Sequence, residues 1–408
     1  MRRAAALALL LLAPVARAQI TDATSTTILR LKPEWRAGDT QTGFWATEYV
    51  GVSVRGLEMP GVQDIKIYLS AWGQAGTIPG LSGDIDLLYV QGSLFSQHLT
   101  LTLGRQLIVG GAARVLQLDG LNAAVAITRT IGFTAYTGVP TESRVHYPEG
   151  NFAFGGRVFW RPSYQSEVGL SFLEILSNGV IARQDLGLDG RWQILHNLAA
   201  SASGILSLQE MRFADADLTV TWTPIPKVEV FAKIQQQEPD LFLPFTSIFT
   251  VFSDSQRDTL GGGAFWQAMP RLSFYGEYQH LWVDGGNGDQ LELRATYKIN
   301  KKSTVGFNTR LIFIPNDGST EVRAWVIQAI SPKVKLSADL DWAQLQNPIN
   351  LEHTSIIGTV SATWLIGSGW SGMLSGSFGV TPFFQTQYTM TARIGYDFAA
   401  LLAKKATP

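Results

Sequence analysis

The chain contains no cysteine. Disulfide scaffolds, thiolate metal sites and cysteine nucleophiles are excluded at once. Charge is scarce as well: only 16% of the 408 residues are Asp, Glu, Lys or Arg, against about 25% in an average soluble domain. Such a surface is not built mainly to face water. Long apolar spans are equally lacking, and a mean hydropathy of +0.09 is too low for a helical bundle whose members each need about 20 apolar residues. What is present is 46% hydrophobic residues, 21 Phe, 12 Trp, 11 Tyr and 40 Gly. That apolar and aromatic content excludes disorder. Two classes remain: a large soluble β protein, or a membrane β-barrel whose apolar residues are diluted by alternation.

Residues 1–18 read as a cleavable signal peptide. Arg2 and Arg3 form the basic start, Ala4 to Ala13 the apolar stretch, and Ala16-Arg17-Ala18 the small-residue cleavage site. An exported chain without cysteine fits the bacterial envelope, where an oxidant would otherwise act on thiols. The precursor has a net charge of −1, and cleavage removes three arginines. No basic face remains for nucleic acid, which is not an expected partner.

The mature chain alternates with a period of two. In Gln290–Ile299 one parity reads Leu291, Leu293, Ala295, Tyr297 and Ile299, the other Glu292, Arg294, Thr296 and Lys298. In Lys333–Trp342 the apolar parity is Val334, Leu336, Ala338, Leu340 and Trp342, against Lys335, Ser337, Asp339 and Asp341. On a strand these are two opposite faces. Short turns recur at Met59-Pro60-Gly61, Ser96-Gln97-His98, Arg129-Thr130, Arg161-Pro162-Ser163, His196-Asn197, Thr223-Pro224-Ile225-Pro226, Met269-Pro270-Arg271, Asn300-Lys301-Lys302, Ser331-Pro332-Lys333 and Gly367-Ser368-Gly369. Longer polar connections fall between them at Gly38–Gly43, Gly138–Asn151, Asp284–Asp289, Pro315–Thr320 and Asn347–His353. Short turns on one side and longer loops on the other are the layout of outer-membrane barrels. The expectation is an all-β fold: a transmembrane, antiparallel, up-and-down barrel of 18 to 22 strands, best count 22, over residues 19–398, with a short tail at 399–408.

Two further patterns support closure in lipid. Tyr388, Met390, Ala392, Ile394, Tyr396 and Phe398 form an apolar ladder ending in an aromatic residue, opposed by Gln387, Thr389, Thr391, Arg393 and Asp397. This resembles the C-terminal strand signal of outer-membrane proteins. Trp35, Trp160, Trp222, Trp266, Trp282, Trp342, Trp364 and Trp370 fall near expected strand ends, as interfacial girdles require. The expected partners are therefore outer-membrane lipid and the barrel-assembly machinery.

If the apolar parity meets lipid, the other parity borders a lumen. Its candidate lining or constriction residues are Arg191, Asp189, Arg294, Glu292, Arg310 and Asp339. Charges of both signs alternate there, which implies weak selectivity or a large solute. A globular plug needs on the order of a hundred residues ahead of the barrel, and the few residues between Ala18 and Thr26 do not supply one. The segment Leu241–Phe252, with Phe242, Phe245, Phe249 and Phe252, reads as a self-packed loop, a constriction in the lumen, or a surface for a partner.

One stretch is distinctive: Gly104-Arg105-Gln106, then Gly110-Gly111, Arg114 and Asp119-Gly120. Over about 25 residues it resembles the G-R-Q…D-G segment of porin-like channels of the alginate and exopolysaccharide export type. The resemblance implies a polysaccharide-exporting channel. Arg105 shares parity with Leu99, Leu101 and Leu103, so regular alternation would place a guanidinium in lipid at a cost of a few kcal/mol. A bulge or strand exit near Gly104 that turns Arg105 inward is therefore expected. Asp119 is the natural partner of Arg105 or Arg114, and all three join the lumen candidates.

Catalytic patterns are missing. His98, His146, His196, His280 and His353 show no local partnership with a nucleophile, and no G-x-S-x-G occurs. The loop Asp284-Gly285-Gly286-Asn287-Gly288-Asp289 reads as a glycine-rich hairpin before it reads as a calcium loop. No cofactor and no enzymatic activity is expected. The leading expectation is a passive porin-like channel for hydrophilic solutes, with an exported polysaccharide as one cargo. The alternatives are a sheath around a partner such as a multihaem cytochrome, or a surface-assembly barrel with a blocked pore. A periplasmic export component or such a cytochrome is the corresponding partner.

Overall fold

The computed structural model describes residues 19–398 except 37–38, 78–79, 142–150, 239–240, 242–255, 284, 316–317 and 383. The described part is almost wholly strand. In chain order it forms β1 (Gln19–Arg36), β2 (Asp39–Met59), β3 (Val62–Gly76), β4 (Leu81–Leu94), β5 (Leu99–Val109), β6 (Val115–Ala126), β7 (Ile131–Pro140) and β8 (Phe152–Ser163). There follow β9 (Ser166–Ser177), β10 (Val180–Leu195), β11 (Leu198–Ser207), β12 (Arg212–Ile225), β13 (Val228–Gln237), β14 (Arg257–Met269) and β15 (Leu272–Val283). The last seven are β16 (Gly286–Lys298), β17 (Ser303–Phe313), β18 (Ser319–Ser331), β19 (Val334–Ile349), β20 (Glu352–Gly367), β21 (Trp370–Thr381) and β22 (Phe384–Asp397).

Every strand pairs antiparallel with its sequence neighbours, and β1 pairs with β22 from Thr24↔Asp397 to Leu31↔Met390. The sheet is thereby a closed, up-and-down 22-stranded barrel. Closure gives every strand a partner on each side, as a lipid setting demands. The weakly patterned segments Ile131–Pro140 and Leu198–Ser207 are strands, as is the charge-free stretch from Thr354, divided among β20, β21 and β22.

Ten short turns and both barrel termini lie at one rim, here the turn rim; the other is the loop rim. Two turns sit further along than their sequence signals. Pro162 and Ser163 belong to β8, and Thr223 to Ile225 to β12, so the reversals fall at Tyr164-Gln165 and Pro226-Lys227. Among the described residues, three loop-rim segments are tighter than their polarity implies. Most of Gly38–Gly43 and Asp284–Asp289 is strand, and Asn347 to Ile349 extends β19. Polar residues there continue the ladder past the apolar band instead of leaving it. Asn178 (φ 52°) and Gly179 (φ 79°) close β9 onto β10, as Asn350 (φ 52°) and Leu351 (φ 70°) close β19 onto β20. Paired left-handed residues make the two-residue turn whose twist matches a hairpin.

Partners across a ladder point to the same side, so the register assigns faces around the whole ring. One face carries exposed apolar side chains such as Leu103, Val158, Leu188, Ile234, Leu293, Leu340, Val360, Phe378 and Met390. At the turn rim that face bears a run of aromatics: Trp160 beside Trp192 (5.8 Å between centroids), Trp266 beside Phe274 (5.7 Å), and Trp370 beside Tyr396 (4.4 Å). Trp222 and Trp364 take the same parity near the same rim. Apolar band and aromatic girdle are the two features expected of an outward, lipid-contacting face. The side chain of Trp35 lies outside the described residues.

Candidate functional site

The opposite parity lines the lumen. Between β5 and β6 the chain does not lie along the rim. Gly110 and Gly111 (φ 95° and 57°) fold a short 3-10 turn, Gly111–Ala113, against β9, β10 and β11. It thereby reaches past β7 and β8. The Ala112 backbone N–H donates to Ser171 Oγ (2.8 Å), and that hydroxyl donates to the Gly187 carbonyl (3.1 Å). A Cβ at Gly187 would stand 2.5 Å from the Ala112 nitrogen, so close approach requires glycine there. Beneath the turn lies an apolar cluster of Ile108, Ala112, Ala113, Leu116, Leu118, Tyr136, Ala153 and Leu173.

Arg114 ends this connection, with φ 52°. Its charge faces Asp215 and Asp185 together with Arg183, and not Asp119. Burial lowers its pKa to about 10, and repulsion from Arg183 acts in the same direction against the pull of Asp215 and Asp185. Asp185 is itself buried and receives Arg183 Nε (2.6 Å).

Lower on the same wall, Arg157 donates to Asp189 through Nε (3.0 Å) and Nη2 (2.5 Å), and to Glu167 through Nη2 (2.8 Å). Arg161 Nε completes the group on Glu167 (2.7 Å). Arg191 stands two residues along β10 from Asp189 on the same parity and is exposed.

Across β15 to β19 the register builds two charged rows. Glu277, Glu292, Arg310 and Glu321 are successive partners, as are Tyr275, Arg294, Asn308, Arg323 and Asp341. Arg294 Nη2 donates to Glu292 (2.7 Å), Arg310 to Glu321 (3.0 and 2.6 Å), and Arg323 to Asp339 (2.5 to 3.0 Å). Exposed pairs of this kind stabilise by only about 0.2–1 kcal/mol each. Each pair offsets its own charges, although the two rows with Asp339 hold five carboxylates against three arginines. A row of hydroxyls adjoins them: Ser337, Ser361, Ser375 and Thr391 are successive partners over β19 to β22, and the Ser337 and Ser361 hydroxyls share a hydrogen bond of 2.6 Å.

Arg105 and Asp119 differ from expectation. The β5–β6 register runs unbroken through Gly104. Arg105 and Asp119 therefore keep the outward parity of Leu103 and Leu121 instead of turning into the lumen. The irregularity lies elsewhere: the β4–β5 ladder stops at Leu88↔Arg105. Toward the loop rim, side chains bridge the open seam. Arg105 donates to Asp119 through Nε (2.8 Å) and Nη2 (2.9 Å), and through Nη1 to Asp84 (3.2 Å) and the Ile85 carbonyl (2.7 Å). Gln117 Nε2 donates to the Asp86 carbonyl. Gly104 (φ 117°) permits the tight crossing, since a Cβ there would meet the Leu88 carbonyl oxygen. The charge is thus met by carboxylates and a free strand carbonyl, so alternation needs no correction.

Of the lumen candidates, Glu292, Arg294, Arg310 and Asp339 come together on the β15–β19 wall. Asp189 and Arg191 stand on β10, and Arg114 closes the inward connection. Phe242, Phe245, Phe249 and Phe252 lie outside the described residues. Asp289, at the end of the glycine-rich loop, accepts from the Tyr278 hydroxyl (2.5 Å) and contacts His280 Nδ1 (2.9 Å). Sequence reasoning missed Arg157, Glu167 and Ser171. Gly155-Gly156 thins the alternation around Arg157, and nothing local marks Ser171 as the anchor of a remote loop.

No family model matches the chain, and no curated protein matches it. Among solved structures it is similar to the translocation pore of the P pilus usher PapC, with 10% identity and a TM-score of 0.46 over 92% of this chain and 99% of that one. It is also similar to OccAB4 of Acinetobacter baumannii, with 9% identity and a TM-score of 0.44 over 92% and 97%. A variant of the Rhodopseudomonas blastica porin gives 14% identity and a TM-score of 0.36 over 93% and 100%. The porin-like barrel fold of this chain rests on its own closed sheet.

Proposed function

We propose that the protein is a bacterial outer-membrane channel through which hydrophilic solutes diffuse. The observation that carries this reading is the division of faces. An apolar, aromatic-girdled exterior surrounds a lumen wall of ion pairs and hydroxyls. A wall so polar is stable only when wetted or covered by polar groups. Both barrel termini share the rim of short turns, which makes that rim periplasmic by the rule for bacterial barrels. Residues 1–18 supply the export signal.

The channel works passively. Water fills the lumen, paired charges of both signs stand along it, and the connection 110–114 narrows the section beside β9 to β11. Selectivity is correspondingly weak, because rings of one sign are what discriminate between ions. Carriage of an exported polysaccharide rests on the likeness of the Gly104–Gly120 segment to export-type channels. Purified protein in planar bilayers tests the reading. Stepwise ohmic currents are expected, and a barrel that inserts but stays silent overturns it in favour of a partner-filled or blocked lumen.

A further inference from the structure

The β3–β4 ladder reaches the loop rim at Ala75↔Leu81, and the β5–β6 ladder at Val109↔Val115. The β4–β5 ladder between them stops at Leu88↔Arg105. Residues 106–109 and the facing part of β4 have no rung between them. A bulge bends β4 at this point: Ser70 pairs with Leu87 and Ala71 with Ile85, so Asp86 is skipped. Gln106 does not reach across either, because its amide donates back to the Thr102 and Gly120 carbonyls (3.2 and 3.1 Å).

The side chains at the gap come from both faces of the wall. Asp84 is the register partner of Trp72 and has lumen parity, whereas Arg105 has outward parity. Arg105 Nη1 nevertheless reaches Asp84 Oδ1 (3.2 Å), a contact that passes through the wall between the strands. The Ile85 N–H also donates to Asp84 Oδ1 (2.7 Å), and the Ile85 carbonyl accepts from Arg105 Nη1 (2.7 Å). The Asp86 carbonyl accepts from Gln117. Three side chains thus hold the backbone groups that a closed ladder would have taken. Such a latch differs from a ladder, because rotamer changes undo it without unpairing a strand. Outside, the gap is flanked by the exposed apolar side chains of Leu81, Ile85, Leu107 and Val109.

We infer that the β4–β5 seam is a lateral portal through which a single-chain amphiphile passes between the lumen and the loop-rim half of the membrane, with Arg105 and Asp84 as its latch. A wholly hydrophilic solute gains nothing by leaving a wet lumen, whereas an acyl tail gains with every methylene it moves into lipid. The polar head meets Asp84 and Arg105 at the gap while the tail lies along Ile85 and Leu107. An added peptide strand fits less well. It needs free edge groups, and those of Ile85 and Asp86 are taken. The inference goes beyond the channel reading; it rests on the barrel's place in a membrane and not on its conduction of ions.

The experiment uses the full-length barrel in vesicles and a fluorescent palmitoyl lysophosphocholine as probe. Probe added outside is followed into the inner leaflet as the fraction that albumin no longer extracts; a route through the seam serves either orientation of the barrel. The chain has no cysteine, so Ile85→Cys with Leu107→Cys supplies the only thiols. A bis-maleimide with a reducible arm then locks the seam in barrels that have already folded. The unlocked barrel should outpace protein-free vesicles, locking should slow transfer about tenfold, and reduction should restore it. Asp84→Asn should raise the rate about threefold, the weight of one exposed ion pair. A lock across a fully paired seam, Leu291→Cys with Leu311→Cys, should change nothing. Transfer no faster than in protein-free vesicles overturns the portal. So does a rate that the β4–β5 lock leaves unchanged, which would send the probe along the lumen or past the early end of the β1–β22 ladder at Leu31↔Met390. Ionic current should persist in the locked barrel; a barrel that is silent before and after locking yet moves the probe overturns conduction and leaves the portal standing.

Discussion

Arg105 and Asp119 are direct partners across β5 and β6 and share two hydrogen bonds of 2.8 and 2.9 Å on the apolar face of the barrel. A charged side chain on the lipid face costs about 2–4 kcal/mol at the bilayer midplane and about 0–1 near its edges. Arg105 lies four residues from the loop-rim end of β5, between these limits. Asp119→Asn should destabilise the barrel by roughly 1–3 kcal/mol. Arg105→Gln combined with Asp119→Asn should recover much of that loss. Urea unfolding from lipid vesicles measures both singles and the double, and losses in the double that equal the sum of the two singles would show that the pair is not coupled.

The inward connection predicts an effect at a distant position. Gly187→Val adds atoms where a Cβ already meets the Ala112 nitrogen at 2.5 Å. Overpacking of this kind costs about 1–3 kcal/mol, and displacing the 3-10 turn is the direct relief. Single-channel conductance should rise and become noisier, while the gel mobility of the folded barrel is kept. A conductance identical to the parent's would remove the connection from the list of constrictions.

The charged rows predict a change of selectivity without a change of pore size. Arg310→Gln with Arg323→Gln frees Glu321, Asp339 and Asp341 from their cations. Reversal potentials across a salt gradient should shift toward cation preference. The shift should be larger in dilute salt, because the Debye length grows from about 10 Å at 0.1 M to about 30 Å at 0.01 M. No shift at either concentration would mean that permeating ions do not sense this wall.

The girdle predicts where light emission is lost in lipid. Brominated acyl chains should quench Trp160, Trp192, Trp222, Trp266 and Trp370, all exposed on the outer parity. Trp45, Trp72 and Trp325 carry the lumen parity and should stay bright. Replacing Trp160 and Trp266 with Phe should reduce the quenched fraction, and bromine placed near the headgroup should quench more strongly than bromine at the chain end.

Sequence periodicity located the strands because lipid and water impose opposite demands on successive residues. Leu291 to Ile299 shows this cleanly, and the same alternation places Glu292 and Arg294 on the lumen wall. Turn positions were legible where Pro, Gly or Asn breaks the alternation, and were misplaced at Pro162 and Pro224, which lie within strands near the rim. Strand length at the loop rim was hidden. Beyond the apolar band a polar strand and a polar loop have the same composition, as Asp39 to Gly43 and Gly286 to Asp289 show. Long-range choices were hidden as well. Nothing near Ala112 names Ser171 as its anchor, and nothing near Arg105 foretells that the β4–β5 ladder ends beside it.

The anchoring of Ala112 on Ser171 has a mechanical consequence. It works as a tie rod, joining β5 and β6 to β9 through β11 across an arc of wall that hydrogen-bonded neighbours alone would leave free to flex. That arc should resist changes in curvature. When the membrane thins or a bulky cargo presses outward, the ring should ovalise by bending through the hydroxyl-rich strands β20 to β22, opposite the brace.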